Sequence, residues 1–205
     1  MSTLEAEYAW RHNNVLLPVA GSLHGLLNQY LSGQPRVDRI SVRAKSIPRF
    51  LAKASKQEDG EQKYSAPLEQ IQDQIGARII TFYITDLDLI SAVILKYFRP
   101  IEIKAIVPDS EKEFGYVGKH FILVLPEDVF PDGIDKRQVP LFFELQVKTL
   151  FQHAWSEAEH DLNYKAAVPL TLDQKRSIAF TAAQAWGADK IFGELVAQIG
   201  SRDCN

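Results

Sequence analysis

Cysteine is almost absent from this chain: of 205 residues only Cys204, the last but one, carries a thiol. A disulfide framework and a cysteine-based zinc site are thereby excluded, and a reducing, cytoplasmic setting is the natural expectation. Long apolar runs are lacking too. No stretch approaches the roughly 18 residues that read as a membrane-spanning helix, and residues 1–30 lack the basic-then-apolar order of a signal peptide, so no membrane is expected among the partners. Nor is there an excess of positive charge, since 23 Lys and Arg face 26 Asp and Glu for a net charge of −3. The protein as a whole is no polyanion binder, and any phosphate or nucleic-acid role has to rest on a local patch. What is present is 46% hydrophobic, 24% charged and 10% aromatic residues, the make-up of a folded enzyme with one sizeable core.

Such a patch exists. Between positions 36 and 56 stand Arg36, Arg39, Arg43, Lys45, Arg49, Lys53 and Lys56, against the single acid Asp38. Residues 4–31 read as helix, bent at Pro18 and ended by Gly33 and Pro35. Asp38 to Lys45 alternates as a strand, with Ile40, Val42 and Ala44 on one side and Arg39, Ser41, Arg43 and Lys45 on the other. Ser46 then has the character of an N-cap, with Pro48 in the first turn of a helix to about Lys56. Gln57–Ser65 is polar and reads as a loop, and 67–75 as a short helix. Strands are expected at 78–84, 101–107, 119–125 and 141–148, and helices at 86–97, 150–165 and 172–199. This order implies an α/β fold, a mixed five-stranded sheet flanked by helices, in one domain spanning 1–205: an N-terminal helical segment 1–34, a core 35–165 and a C-terminal helix 166–205.

Four segments could carry chemistry. Strand end and following helix bring Arg43, Lys45, Arg49 and Lys53 toward one pocket, at the positive end of a helix dipole, an arrangement suited to a triphosphate. A solvated basic face would show the same residues. Asp73 precedes an apolar strand, and Glu144 lies inside another, Leu141–Lys148, where Phe143, Leu145 and Val147 face the core and Glu144, Gln146 and Lys148 face away. Two carboxylates meeting beside a basic pocket would hold Mg2+ against phosphates, whereas a strand with one wet face and ordinary ion pairs would give the same pattern. Phe114–His120 places two glycines around Tyr116, either a platform for stacking a base or a common turn before a strand. His153, Glu157, His160 and Tyr164 form one polar stripe on a helix. Its spacing matches no common metal set, so it reads as a hydrogen-bonded wall of a cleft.

Taken together, these blocks resemble the synthetase domain of the RelA/SpoT family of alarmone synthetases, including its small single-domain members. The resemblance runs from about Arg43 to Lys165. It is carried by Arg43-Ala-Lys45-Ser46 with Lys53, by Asp73-x-x-Gly76-x-Arg78, by Gly115-Tyr116 with His120, and by Glu144-x-Gln146-x-Lys148-Thr149 leading to Trp155, His160, Tyr164 and Lys165. It implies a nucleotidyltransferase-like fold and transfer of the β,γ-pyrophosphate of ATP to the 3′-oxygen of GDP or GTP, or, in toxin-type members, to the 3′ end of tRNA or an adenine nucleotide. On this resemblance Asp73 and Glu144 are the catalytic and Mg2+-binding pair, with Glu144 also taking the proton of the attacking hydroxyl. Arg43 and Arg78 sandwich the adenine, and Lys45, Arg49 and Lys53 hold phosphates. Lys112, Tyr116, His120 and Gln146 bind the acceptor. Two departures stand out: Arg49 where the family usually has serine, and Val117-Gly118 where it usually has Arg-Ser. With no hydrolase half in view, synthesis alone is expected. A toxin-type chain would have an antitoxin partner. Ile178, Phe180, Ala185, Ile191, Leu195 and Ile199 are either core or the surface of a homo-oligomer.

Overall fold

The structure, a computed structural model, describes residues 3–105, 115–116, 118–165 and 169–202. Two helices open the chain, α1 (Thr3–Arg11) and α2 (Leu17–Leu31), joined by a π-helical turn over His12–Leu16. In place of the expected bend at Pro18 there is this widened turn just ahead of it, which keeps the proline ring from the carbonyl of the preceding turn. β1 (Val37–Ala44) leads through Lys45 and Ser46 into α3 (Ile47–Ala54).

The polar stretch expected as a loop contains a small hairpin, β2 (Gln57–Glu58) with β3 (Glu61–Gln62). Asp59 and Gly60 both have positive φ, 54° and 84°, the conformation of a type I′ turn, which the Asp-Gly pair supplies cheaply. The expected helix at 67–75 is shorter, α4 (Pro67–Gln70), because Ile75 already begins β4 (Ile75–Thr81). There follow α5 (Asp86–Tyr97), β5 (Pro100–Ala105), β6 (Lys119–Val124), β7 (Phe142–Thr149), α6 (Leu150–Lys165) and α7 (Leu172–Arg202).

The five-stranded sheet runs β1-β4-β7-β6-β5 and is mixed, as expected: β4 and β7 are parallel, the other neighbours antiparallel. Its two faces differ. Ile75, Ala77 and Ile79 of β4, Phe143, Leu145 and Val147 of β7, and Phe121 and Leu123 of β6 are all buried. They join Val19, Leu23 and Leu27 of α2 and Leu87, Ile90 and Ile94 of α5 in one core. The period-two alternation of the strands sends every second residue to the opposite face. There the register sets Arg43 beside Gly76 and Gly76 beside Glu144. One step along, Ser41, Arg78, Gln146 and His120 form a second row. α6 packs over the far end of this face, where Ile80 and Lys148 are 0% and 4% exposed.

α7 lies along α6. Of its apolar residues, Phe180, Ile191, Leu195 and Ile199 are exposed, so they are not core in this chain. Among the described residues no helix is long and apolar enough to cross a membrane.

Candidate active site

The polar face opens into two cavities of about 250 and 200 Å³ that share two walls, Asp73 and Glu144. The first is completed by Arg43, Ala44, Lys45, Ser46, Arg49 and Gly76. The second is completed by Lys53, Tyr64, Gln70, Gln72, Glu102, Lys104, His120 and Ile122. A narrower one of about 80 Å³ lies beside the first, between Arg43, Arg78, Glu144 and Gln146. The carboxylates from the turn before β4 and from the middle of β7 therefore stand at a boundary, with cations on both sides.

Each carboxylate is held in place by different partners. Asp73 Oδ2 receives the ammonium groups of Lys45 at 2.9 Å and Lys53 at 3.0 Å, while its Oδ1 is buried without a hydrogen-bond partner. Glu144 Oε1 pairs with His120 Nδ1 at 3.2 Å and accepts from Gln146 Nε2 at 3.4 Å. The bond to His120 above all holds the Glu144 carboxyl below its usual range against the opposing effect of burial, helped by Gln146 and the charge of Lys53. Both contacts fall on Oε1, so Oε2 has no partner among the described residues.

The donor-side cations are arranged differently. Arg43 and Arg49 make no ion pair within 4 Å among the described residues, although they line one cavity. Desolvation pushes the Arg43 guanidinium below its ordinary value, and repulsion from Arg49 and Arg78 pushes it further. Cations left crowded in a groove are the mark of a polyanion site, because a bound phosphate chain relieves the repulsion. Ser46 occupies the N-cap position of α3, yet its hydroxyl makes no capping bond and lines the cavity. Arg78 is tethered to α6 by Glu157 Oε1 at 2.8 Å and His153 Nδ1 at 3.3 Å, which makes the polar stripe of α6 a wall, as expected. Lys148, beneath that wall, donates to Ser156 Oγ at 3.0 Å; burial, with repulsion from Arg78, brings its ammonium down to about 8.

Among the described residues, five buried side-chain polar atoms lack a partner, and three of them, Asp73 Oδ1, His120 Nε2 and Gln146 Oε1, belong to this site. Buried polar groups are normally paired, so this concentration marks a place built for a polar ligand. Oδ1 of Asp73 and Oε2 of Glu144 are hard oxygen donors of the kind magnesium takes. Among the described residues no group of three or more His, Cys, Asp and Glu could hold a metal by itself. An ion here would complete its coordination from phosphate oxygens and water, as magnesium commonly does.

Three expectations meet a different arrangement. Tyr116 is not presented to solvent. It is 5% exposed, and its hydroxyl, together with that of Thr149, donates to Asp189 of α7. Burial and the Asp189 carboxylate push the phenol above its ordinary value, so it stays a donor, and in this conformation its ring cannot stack on a base. The physical reason is a buried carboxylate 73 residues away in the chain, invisible to local pattern. Arg36 does not extend the basic patch: it sits at the other end of β1, bonded to Asp86 at 2.7 Å. Arg39 pairs with Asp38. Lys112 and Val117 lie outside the described residues. Gly118 packs so tightly on β7 that an added Cβ would lie 2.3 Å from the Val147 carbonyl oxygen, so no other residue fits there unshifted. The residues that pattern reading missed are Tyr64 and Lys104, which line the second cavity.

The site is thus a mixed sheet with one polar face, on which two carboxylates stand among cations, some paired with them and some not. Residues 42–168 match the family model described as a region found in RelA / SpoT proteins, and the chain belongs to that family. It is 25% identical over 144 residues to the GTP pyrophosphokinase YjbM of Bacillus subtilis, a match covering 68% of this chain and 62% of that protein. Among solved structures, a GTP pyrophosphokinase family protein from Streptococcus pneumoniae superposes with a TM-score of 0.73 at 21% identity, covering 98% of this chain and 97% of the other. The small alarmone synthetase 1 from Bacillus subtilis, bound to its product pppGpp, gives 0.72 at 19% identity over 97% and 99% of the two chains.

Gly76 offers a direct check on the groove. It stands between Arg43 and Glu144, and an added Cβ meets nothing within 4 Å. Gly76→Leu is expected to leave the fold intact, with stability held or raised by up to about 1 kcal/mol relative to the strand glycine. Binding of an ATP analogue, measured by calorimetry, should weaken about ten-fold or more because the side chain fills the groove. Unchanged binding would place the nucleotide elsewhere.

Proposed function

We propose that this chain is a pyrophosphokinase that transfers the β,γ-pyrophosphate of ATP to the 3′-hydroxyl of GDP or GTP. The observation that carries this reading is the position of Asp73 and Glu144, shared by two cavities with cations at either end. Two phosphorylated substrates bound in those cavities would meet at the carboxylates. The attacking 3′-oxygen forms a bond to the β-phosphorus, the bridge from that phosphorus to the α-phosphate breaks, and AMP leaves with the bridging oxygen.

The chain's own residues act mainly by positioning and by neutralising charge. Arg43 and Arg49, which make no ion pair among the described residues, receive the triphosphate in the first cavity, and Lys45 and Lys53 can turn from Asp73 to phosphate oxygens. Arg43 and Arg78, flanking the narrow cavity, hold the adenine between guanidinium planes. Asp73 and Glu144 would hold Mg2+, which when bound would supply charge neutralisation on the phosphates. His120 and Gln146, each with an unpaired buried atom, orient the acceptor. Glu144 takes the hydroxyl proton; its depressed pKa keeps it ionised across the neutral range, at some cost in basicity, and the proton passes on to solvent.

The acceptor end needs an aromatic ring, since Tyr116 faces Asp189. Tyr64 is the aromatic among the described residues of the second cavity; its ring packs in part against the core, and its hydroxyl makes no hydrogen bond among the described residues. It provides the stacking surface, and Lys104 the nearby cation. A guanine nucleotide is favoured over tRNA because Arg36 and Arg39, the cations that would extend the basic patch, are each paired with an acid of the chain. The pppGpp product of the Bacillus subtilis synthetase agrees with a guanine acceptor.

γ-Labelled ATP offered with GDP, GTP or deacylated tRNA tests the reading. Label is expected on GDP or GTP, and label on tRNA alone would overturn the acceptor assignment. In the same assay Glu144→Gln should lose transfer by about a thousand-fold or more with its melting temperature retained, and near-normal turnover would refute its role. Tyr64→Ala should raise the acceptor KM about ten-fold while leaving the KM for ATP within about two-fold. Equal effects on both substrates would contradict the stacking role.

A further inference from the structure

The N-terminal helix α1 lies outside the segment that matches the family model, yet it reaches the donor cavity. Tyr8 is fully buried. Its ring stacks on Phe50 at 3.6 Å with planes 4° apart, and Phe50 belongs to α3, the helix that carries Arg49 and Lys53. Its hydroxyl donates to the carbonyl oxygen of Lys45 at 2.7 Å. The Lys45 amide in turn donates to the Gln74 carbonyl at 2.8 Å. The backbone of Lys45 is therefore held at both ends, and one of the two holders is a side chain of α1.

Three residues further along α1, on the same side of the helix, Arg11 does the same for the turn that bears Asp73. Arg11 is 7% exposed. Its Nη1 donates to the Leu68 carbonyl at 2.8 Å and lies 3.5 Å from Gln74 Oε1, while its Nη2 donates to Gln138 Oε1 at 3.3 Å. Gln74 Nε2 closes the turn by donating to the carbonyls of Leu68 and Ile71 at 2.8 and 3.1 Å. Lys45 and Asp73, which form an ion pair across the mouth of the cavity, thus stand on two backbone segments fastened to one another and to α1. A segment joining strand to helix, such as Lys45-Ser46, has no ladder of its own to fix it, so such ties determine where its ammonium and hydroxyl sit.

We infer that Tyr8 and Arg11 are positioning residues of the donor site: α1 sets the spacing between the Lys45-Ser46 turn and Asp73, and hence the affinity for the triphosphate. This inference rests on the donor-site reading above. The phenol stays protonated at every ordinary pH, since burial, reinforced by the charge of Asp73, pushes it above its usual value. The tie is therefore permanent and not a pH switch.

The test is Tyr8→Phe, which keeps the stack on Phe50 and removes the hydroxyl alone. Calorimetric titration with α,β-methylene ATP and Mg2+ reports affinity and the fraction of competent protein separately, so partial unfolding lowers the stoichiometry without imitating an affinity change. Weakening of between about three- and ten-fold is expected, the range for one buried hydrogen bond. In the transfer assay the KM for ATP should rise by a similar factor, with the acceptor KM unchanged. A variant whose affinity equals wild type, or one that shifts both KM values together, overturns the positioning role. Wild-type protein that fails to bind the analogue would instead overturn the donor site itself.

Discussion

Two carboxylates project from an apolar sheet, and everything else on that face answers to them. An acid in the middle of a strand such as Phe142–Thr149 is costly unless its charge is matched. Here the matching is divided. Asp73 takes two ammonium groups on one oxygen and keeps the other buried and empty, and Glu144 leans on His120 and Gln146 with one oxygen and offers the second. Half of each carboxylate is satisfied by the protein, which fixes its direction. The other half faces a shared boundary between two cavities. A structure that only needed stability would have closed these contacts, and the arrangement is intelligible once a cation and phosphates are added.

The surrounding cations follow the same division of labour. Lys45 and Lys53 are paired with Asp73, whereas among the described residues Arg43 and Arg49 make no ion pair and repel one another. Arg78 is anchored by Glu157 and His153 and so stands as a fixed edge. Behind the face, α2 and α5 supply the hydrophobic core, and α1 ties down the segment that a strand ladder does not reach. The polar face thus holds some of its groups by hydrogen bonds and ion pairs and leaves others unsatisfied, the pattern expected when local rules are broken for function.

Much of this was legible in sequence because it depends on short-range periodicity. The alternation of β1 and β7 placed Arg43 and Glu144 on the polar face, while it was the family resemblance, through Asp73-x-x-Gly76-x-Arg78, that implied a second carboxylate beside them. The failures share one cause, which is partners far apart in the chain. Tyr116 has the local setting of an exposed turn, but Asp189 draws it inward. Arg36 belongs by position to a basic run, but Asp86 neutralises it. Tyr8 reads as one apolar residue of a helix, and nothing local predicts that its hydroxyl reaches Lys45. The hairpin at 57–62 is a different case: Asp59-Gly60 carried the turn signal, while its two-residue polar strands were too short to show a period.

The central claim is that Asp73 and Glu144 share one divalent ion between donor and acceptor. Anomalous diffraction from crystals grown with Mn2+ and α,β-methylene ATP tests it most directly. The account predicts a manganese peak about 2 Å from oxygens of both carboxylates, with the analogue's phosphates against Arg43 and Arg49. Manganese bound elsewhere, with Asp73 still closed on Lys45 and Lys53 and Glu144 still confined to His120, would contradict it.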